Sequence, residues 1–161
     1  MNIAKKVYCR IFQGAFHLAL PVMPYREPVC LDSLAKLPNL MTEKGIKSVL
    51  LVTDEFLSST DGFKTLEKSL KEKGINCAVY SKTCPNPIVH NVEDAREIYV
   101  KEKCEALIAY GGGSPMDCAK GVGARIAYPN KPMSKLKGLL KVLKKYLSSL
   151  LSPQQQEQEA R

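Results

Sequence analysis

The sequence predicts an α/β protein: a Rossmann-like parallel sheet with crossover helices. Two observations carry this. Between residues 47 and 127, apolar runs too short for helices alternate with segments whose apolar residues recur at helical spacing. The connections are short, and strand–helix–strand order on short connections calls for parallel strands joined by crossover helices.

Each element has its own signal. Lys47-Ser-Val-Leu-Leu-Val-Thr53 is a leucine- and valine-rich run ending at Asp54, the pattern of a buried strand. Asp61-Gly62 opens a helix in which Phe63, Leu66 and Leu70 share one face, with Gly74 as its stop. Ile75–Tyr80 forms a second strand. Cys84-Pro-Asn-Pro87 is a loop, because its two prolines bar both helix and ladder. Asn91 caps the next helix, with Val92, Ala95 and Tyr99 on one face and Glu93 and Asp94 in the first turn. Ala106–Tyr110 is the third strand. It runs into Gly111-Gly-Gly-Ser-Pro-Met-Asp117 and a helix carrying Met116, Ala119, Val122 and Ile126.

Ligands of such sheets bind at the carboxyl ends of the strands, where Asp54 and Gly111–Asp117 both fall. The consecutive glycines let backbone or ligand approach without a Cβ in the way. Ser114 is expected as N-cap, Pro115 as the first helical residue, and Asp117 at capping-box spacing. Two readings stand side by side at this point. One is an anion site suited to a pyrophosphate; the other is a well-capped helix and nothing more. The turn is neither G-x-G-x-x-G nor a Walker loop.

Composition bounds the function. The 161 residues give room for one domain or slightly more, and a net charge of +8. The basic excess gathers at Lys131, Lys135, Lys137, Lys141, Lys144 and Lys145, with no acid among them. Trp is absent and aromatics make up 7%, so the stacking residues of a nucleic-acid module are missing and no nucleic-acid partner is expected. Two histidines, His17 and His90, exclude a His-rich metal centre within this chain. Cys9, Cys30, Cys77, Cys84, Cys104 and Cys118 form no C-x-x-C pair, and they read as reduced structural thiols of a cytoplasmic protein. Lys5 and Lys6 precede a mostly apolar stretch, but Gln13, His17 and Pro21 interrupt it. A packing or partner-binding helical arm fits residues 1–33 better than an export signal; a weak interfacial anchor is the lesser alternative, since basic residues flank the apolar stretch, and a membrane partner is otherwise set aside.

Taken together these residues resemble the iron-containing (group III) alcohol dehydrogenases. Ala109-Tyr-Gly-Gly-Gly-Ser-Pro-Met-Asp-Cys-Ala-Lys120 is similar to that family's Gly-Gly-Gly-Ser-x-x-Asp-x-Ala-Lys motif. Cys84-Pro-Asn-Pro-Ile-Val-His-Asn91 is similar to its Pro-Asn-Pro-Thr loop, with Ile88 in place of Thr. Leu51-Val-Thr-Asp54 resembles its strand-end Asp. The match is expected over residues 34–145. The resemblance implies an incomplete N-terminal domain of a two-domain dehydrogenase fold, with the dinucleotide-binding α/β domain at 34–134. It implies NAD rather than NADP, with Asp54 and Asn86 near the adenosine side, Gly112, Gly113 and Ser114 around the pyrophosphate, and Asp117 near the ribose and nicotinamide. It implies iron or zinc only in a helical second domain, a small alcohol or aldehyde substrate in the intact form, and leaves a homo-oligomer open. No catalytic residue and no metal ligand is assigned within this chain.

Residues 135–161 read differently. Leu136, Leu140, Leu143, Leu147 and Leu150 step by four and three, so a basic amphipathic helix is one expectation. On that reading the chain is a non-catalytic interaction module that binds a partner or an acidic membrane surface. The other expectation is a frameshift. Back-translated with permitted codons and read from the third base of the Tyr146 codon, one allowed solution of the tail is Pro-Leu-Leu-Phe-Ala-Val-Pro-Thr-Thr-Ala-Gly-Thr-Gly-Ser-Glu, which is similar to the family's next strand and motif. A truncated, inactive dehydrogenase is then expected, with an unpaired sheet edge after the third strand and poor solubility.

Overall fold

The computed structural model describes residues 3–19, 33–136 and 148–151. The chain divides into two compact units, residues 1–30 and 31–161. The first contains helix α1 (Ile3–Ala19), which has no acidic residue in its first turn.

The second unit is an α/β layer structure. A 3-10 turn (Leu34–Lys36) leads into α2 (Leu37–Glu43). Then come β1 (Ser48–Val52), α3 (Glu55–Ser58), α4 (Asp61–Glu72), β2 (Asn76–Tyr80), α5 (Val89–Lys101), β3 (Ala106–Tyr110), α6 (Gly113–Ala127), α7 (Met133–Leu136) and β4 (Ser148–Leu151). The sheet order is β2-β1-β3-β4 and every pairing is parallel.

Strand period two sorts the core into two layers. Val49, Leu51, Ile108 and Tyr110 face α2 and α4, meeting Leu37, Met41, Phe63, Leu66 and Leu70. Leu50, Val52, Leu107 and Ala109 face α5 and α6, meeting Val92, Ala95, Cys118, Ala119 and Val122. β3 is buried throughout and β1 in all but its first residue, because helices cover both faces. That double burial is why both read as unbroken apolar runs. Gly74 follows α4 at φ +73, a left-handed position that suits glycine and stops the helix.

Three expectations are corrected. Ser114 does not cap α6. The N-cap is Gly112, so Ser114 lies inside the first turn, and Asp117 pairs with Lys120 at 3.4 Å rather than closing a capping box. Asn91 is not the N-cap of α5. Ile88 is, and Asn91 reaches back from the first turn, its Oδ1 accepting from Ile88 N at 3.1 Å. Third, the β3 edge next to α6 is paired. Leu107↔Ser148 through Tyr110↔Leu151 are in parallel register, so the premise for poor solubility falls at this edge. Leu150 therefore belongs to a strand, and the helical stripe does not reach it. Leu136 ends the short helix α7, while Leu140, Leu143 and Leu147 lie outside the described residues.

Candidate functional site

The carboxyl ends of β1, β2 and β3 are tied to each other. Thr53, just past β1, donates from Oγ1 to Tyr110 O at 2.8 Å and from its backbone N to Tyr80 O at 2.9 Å. Thr83 N donates to Thr53 O at 3.3 Å. The turns leaving these strands therefore start from a common rigid rim.

The turn after β3 needs glycine at one position for reasons of packing alone. Gly111 sits at φ +143, and a Cβ there would stand 2.8 Å from both Leu57 Cδ1 and Pro115 Cγ. Gly112 and Gly113 differ. A Cβ on either would meet nothing within 4 Å, and neither has a positive φ. Packing against the described residues does not call for glycine at either position. What their missing side chains leave is open space at the start of α6.

That helix start is electrostatically incomplete. Asp54 caps α3, its Oδ1 accepting from Leu57 N at 2.8 Å, and Thr60 caps α4. α6 carries no side-chain cap. Gly113 and Ser114, in the first turn, border the open space, and the unsatisfied N–H groups and positive dipole end expected at such a helix start favour a bound anion.

Opposite the glycine turn stands the loop after β2. Asn86 adopts φ +55, a left-handed conformation that asparagine tolerates better than most residues. Asn91 holds the loop in place. Its Nδ2 donates to the Tyr80 hydroxyl at 3.1 Å and to Lys82 O at 3.2 Å. Its Oδ1 accepts from Ile88 N, and from the Cys84 thiol at 3.0 Å. Burial pushes the Tyr80 hydroxyl's pKa up, and the Asn91 hydrogen bond partly opposes that.

Between loop and helix lies a cavity of about 500 Å³ lined by Asn86, Ile88, Val92, Gly113, Asp117 and Met133, with Ser114, Pro87 and Val89 completing it. Four of the six sequence-predicted residues, Asn86, Gly113, Ser114 and Asp117, thus share one cavity. Asp54 and Gly112 do not line it. Asp54 is half-buried at the end of β1, with one carboxylate oxygen engaged by the α3 cap.

Sequence reasoning missed the apolar wall. Ile88, Val89, Val92 and Met133 give the cavity a greasy side, and Met133 arrives there through Arg125. This arginine, near the end of α6, is buried. It donates from Nε to Glu93 Oε1 at 2.5 Å and from Nη1 to Tyr128 O and Pro129 O, each at 3.0 Å, and to Lys131 O. It locks α6 to α5 and fixes the turn that leads into α7. The available signal was a lone arginine within an otherwise small and apolar helix end.

Comparison with known proteins follows the same outline. The model of the iron-containing alcohol dehydrogenase family matches residues 30–151, running through β4 and past the limit at Lys145 expected from sequence. The 1,3-propanediol dehydrogenase of Citrobacter freundii is 46% identical over 82 residues, 49% of this chain and 21% of that one. The solved alcohol dehydrogenase from Oenococcus oeni is similar at a TM-score of 0.67 and 32% identity, over 74% of this chain and 31% of that one. The sulfoacetaldehyde reductase from Bifidobacterium kashiwanohense, solved in complex with NAD+, is similar at a TM-score of 0.68 and 25% identity, over 80% of this chain and 35% of that one. The chain thus spans about a third or less of the length of each.

Proposed function

Since this chain belongs to the iron-containing alcohol dehydrogenase family, we propose that its α/β unit is the dinucleotide-binding part of an NAD-dependent alcohol dehydrogenase. One observation carries the reading most directly. The uncapped start of α6 opens, past glycines that packing does not require, onto a cavity shared with Asn86 and Asp117. A pyrophosphate fits the helix start, its charge offset by the N–H groups of Gly113 and Ser114. Asn86 offers a carboxamide and Asp117 a carboxylate to ribose hydroxyls. The apolar wall of Ile88, Val92 and Met133 shields a planar ring from water. When bound, the cofactor would supply hydride-transfer chemistry; this chain's own residues bind and orient it.

No described residue is proposed as a ligand of the family's metal. Among the described residues no group of three or more His, Cys, Asp or Glu is placed to hold an ion. His90 is exposed and pairs through Nδ1 with Asp94 at 3.4 Å. No chemical step is assigned to a metal, and the activity proposed for the described α/β unit is dinucleotide binding.

Asp54 is the residue proposed to select NAD. Its second carboxylate oxygen stands free of the α3 cap and would repel a ribose 2′-phosphate. Asn is as good an N-cap as Asp, so Asp54→Asn removes the charge and keeps α3. Thermal-shift titration tests this. NAD+ is expected to stabilise the parent more than NADP+, and Asp54→Asn to narrow the gap. Equal stabilisation of the parent by both would remove Asp54 from the assignment.

A further inference from the structure

We propose that α1 is a surface-seeking helix that lies on an anionic lipid bilayer with its apolar face down. Val7, Tyr8, Ile11 and Phe12 fall at positions that share one side of a helix, and they are 51%, 70%, 67% and 48% exposed. Tyr8 and Phe12 stack at 6.3 Å between ring centroids, presenting one continuous aromatic edge. Arg10, Gln13 and His17 are exposed around the rest of the helix.

Charge selects the occupant. Before Glu27 the sequence carries Lys5, Lys6, Arg10 and Arg26 and not one acid. A basic, acid-free helix with an exposed apolar face matches a surface that is apolar beneath and negative above, which is the interface of an anionic bilayer. A second copy of the chain fits less well, because each copy carries a net charge of +8. The helix has 17 residues, and no described helix is long and apolar enough to cross a membrane, so the expected mode is lying on the surface. This inference does not depend on the dinucleotide site.

The test is sedimentation of the full chain with vesicles of phosphatidylcholine alone or mixed equally with phosphatidylglycerol. The parent is expected to pellet with the mixed vesicles and not with phosphatidylcholine, and to be released at about 0.5 M salt. Ile11→Glu and, separately, Phe12→Glu should each lower the pelleted fraction about tenfold, with the circular dichroism melt of the sheet unit unchanged. Three results would each overturn the proposal. The parent pellets equally with both vesicles. The two variants pellet like the parent, which assigns the binding to lysines elsewhere. Or the parent stays in solution as a dimer that Ile11→Glu dissociates, which makes a second copy the occupant.

Discussion

Asn91 Nδ2 donates to the Tyr80 hydroxyl at 3.1 Å, linking the end of β2 to the first turn of α5. The same carboxamide satisfies Lys82 O and Ile88 N, so one side chain holds both ends of the loop that presents Asn86. Asn91→Ala removes these bonds, of which those to the Tyr80 hydroxyl and the Cys84 thiol are partly buried. The expected loss in a urea melt is about 1–3 kcal/mol, with weaker NAD+ binding because Asn86 is no longer held. Asn91→Asp keeps the acceptor for Ile88 N and should lose less.

The glycine turn separates packing from binding. Gly111→Ala forces a side chain into a strained φ and against Leu57 and Pro115, and should cost about 1–3 kcal/mol. Gly113→Ala places a methyl group in open space on the first turn of a helix. It should leave stability unchanged or raise it by up to about 1 kcal/mol. Chemical denaturation of the two variants side by side checks the contrast; equal losses would show that packing explains both glycines.

Asn86 has two jobs that one variant can split. Glycine keeps the left-handed backbone at φ +55 and deletes the carboxamide. Asn86→Gly should therefore melt like the parent yet bind NAD+ more weakly by about tenfold, the loss expected for one hydrogen bond of roughly 1.4 kcal/mol. A variant that binds like the parent would reduce Asn86 to a turn residue.

Burial pushes the thiol pKa values of Cys77 and Cys118 up to about 11, from a reference of 9.0. The unfolded chain loses those protons first, so stability present below pH 9 should fall as pH rises from about 9 towards 11. Cys118→Ala removes one such group and should flatten the slope, at the cost of some packing. Denaturation midpoints across that pH range check the sign. In native protein at pH 8, Cys118 should also resist iodoacetamide and react only in denaturant.

Much of this fold can be read from sequence because β1 and β3 are buried on both faces. No polar residue interrupts Val49–Val52 or Ala106–Ala109, so their apolar runs admit only a strand of that length. The site is legible for a similar reason. Gly111 and the prolines flanking Asn86 are backbone constraints, and those show in residue type. What eluded the sequence is set by tertiary placement. Ser114 looks like a cap, yet the turn at Gly111 starts the helix at Gly113, with Gly112 as an N-cap that has no side chain to offer. Asn91 looks like a cap as well, and serves instead as a bracket between β2 and the loop. Met133 owes its place to a buried Arg125, and no local pattern reveals such a contact.

The uncapped start of α6 is proposed as a dinucleotide site. Isothermal titration of NAD+ into the full chain, alongside Gly113→Val, tests it most directly. The variant sets a bulkier side chain in the open space at Gly113 without meeting protein at its Cβ. The parent is expected to bind saturably, with an added stability of about 2.7 kcal/mol at a hundredfold excess over Kd. Loss of that binding is expected in a Gly113→Val variant that melts like the parent. A folded parent that binds no NAD+, or a variant that binds as tightly, would contradict this assignment.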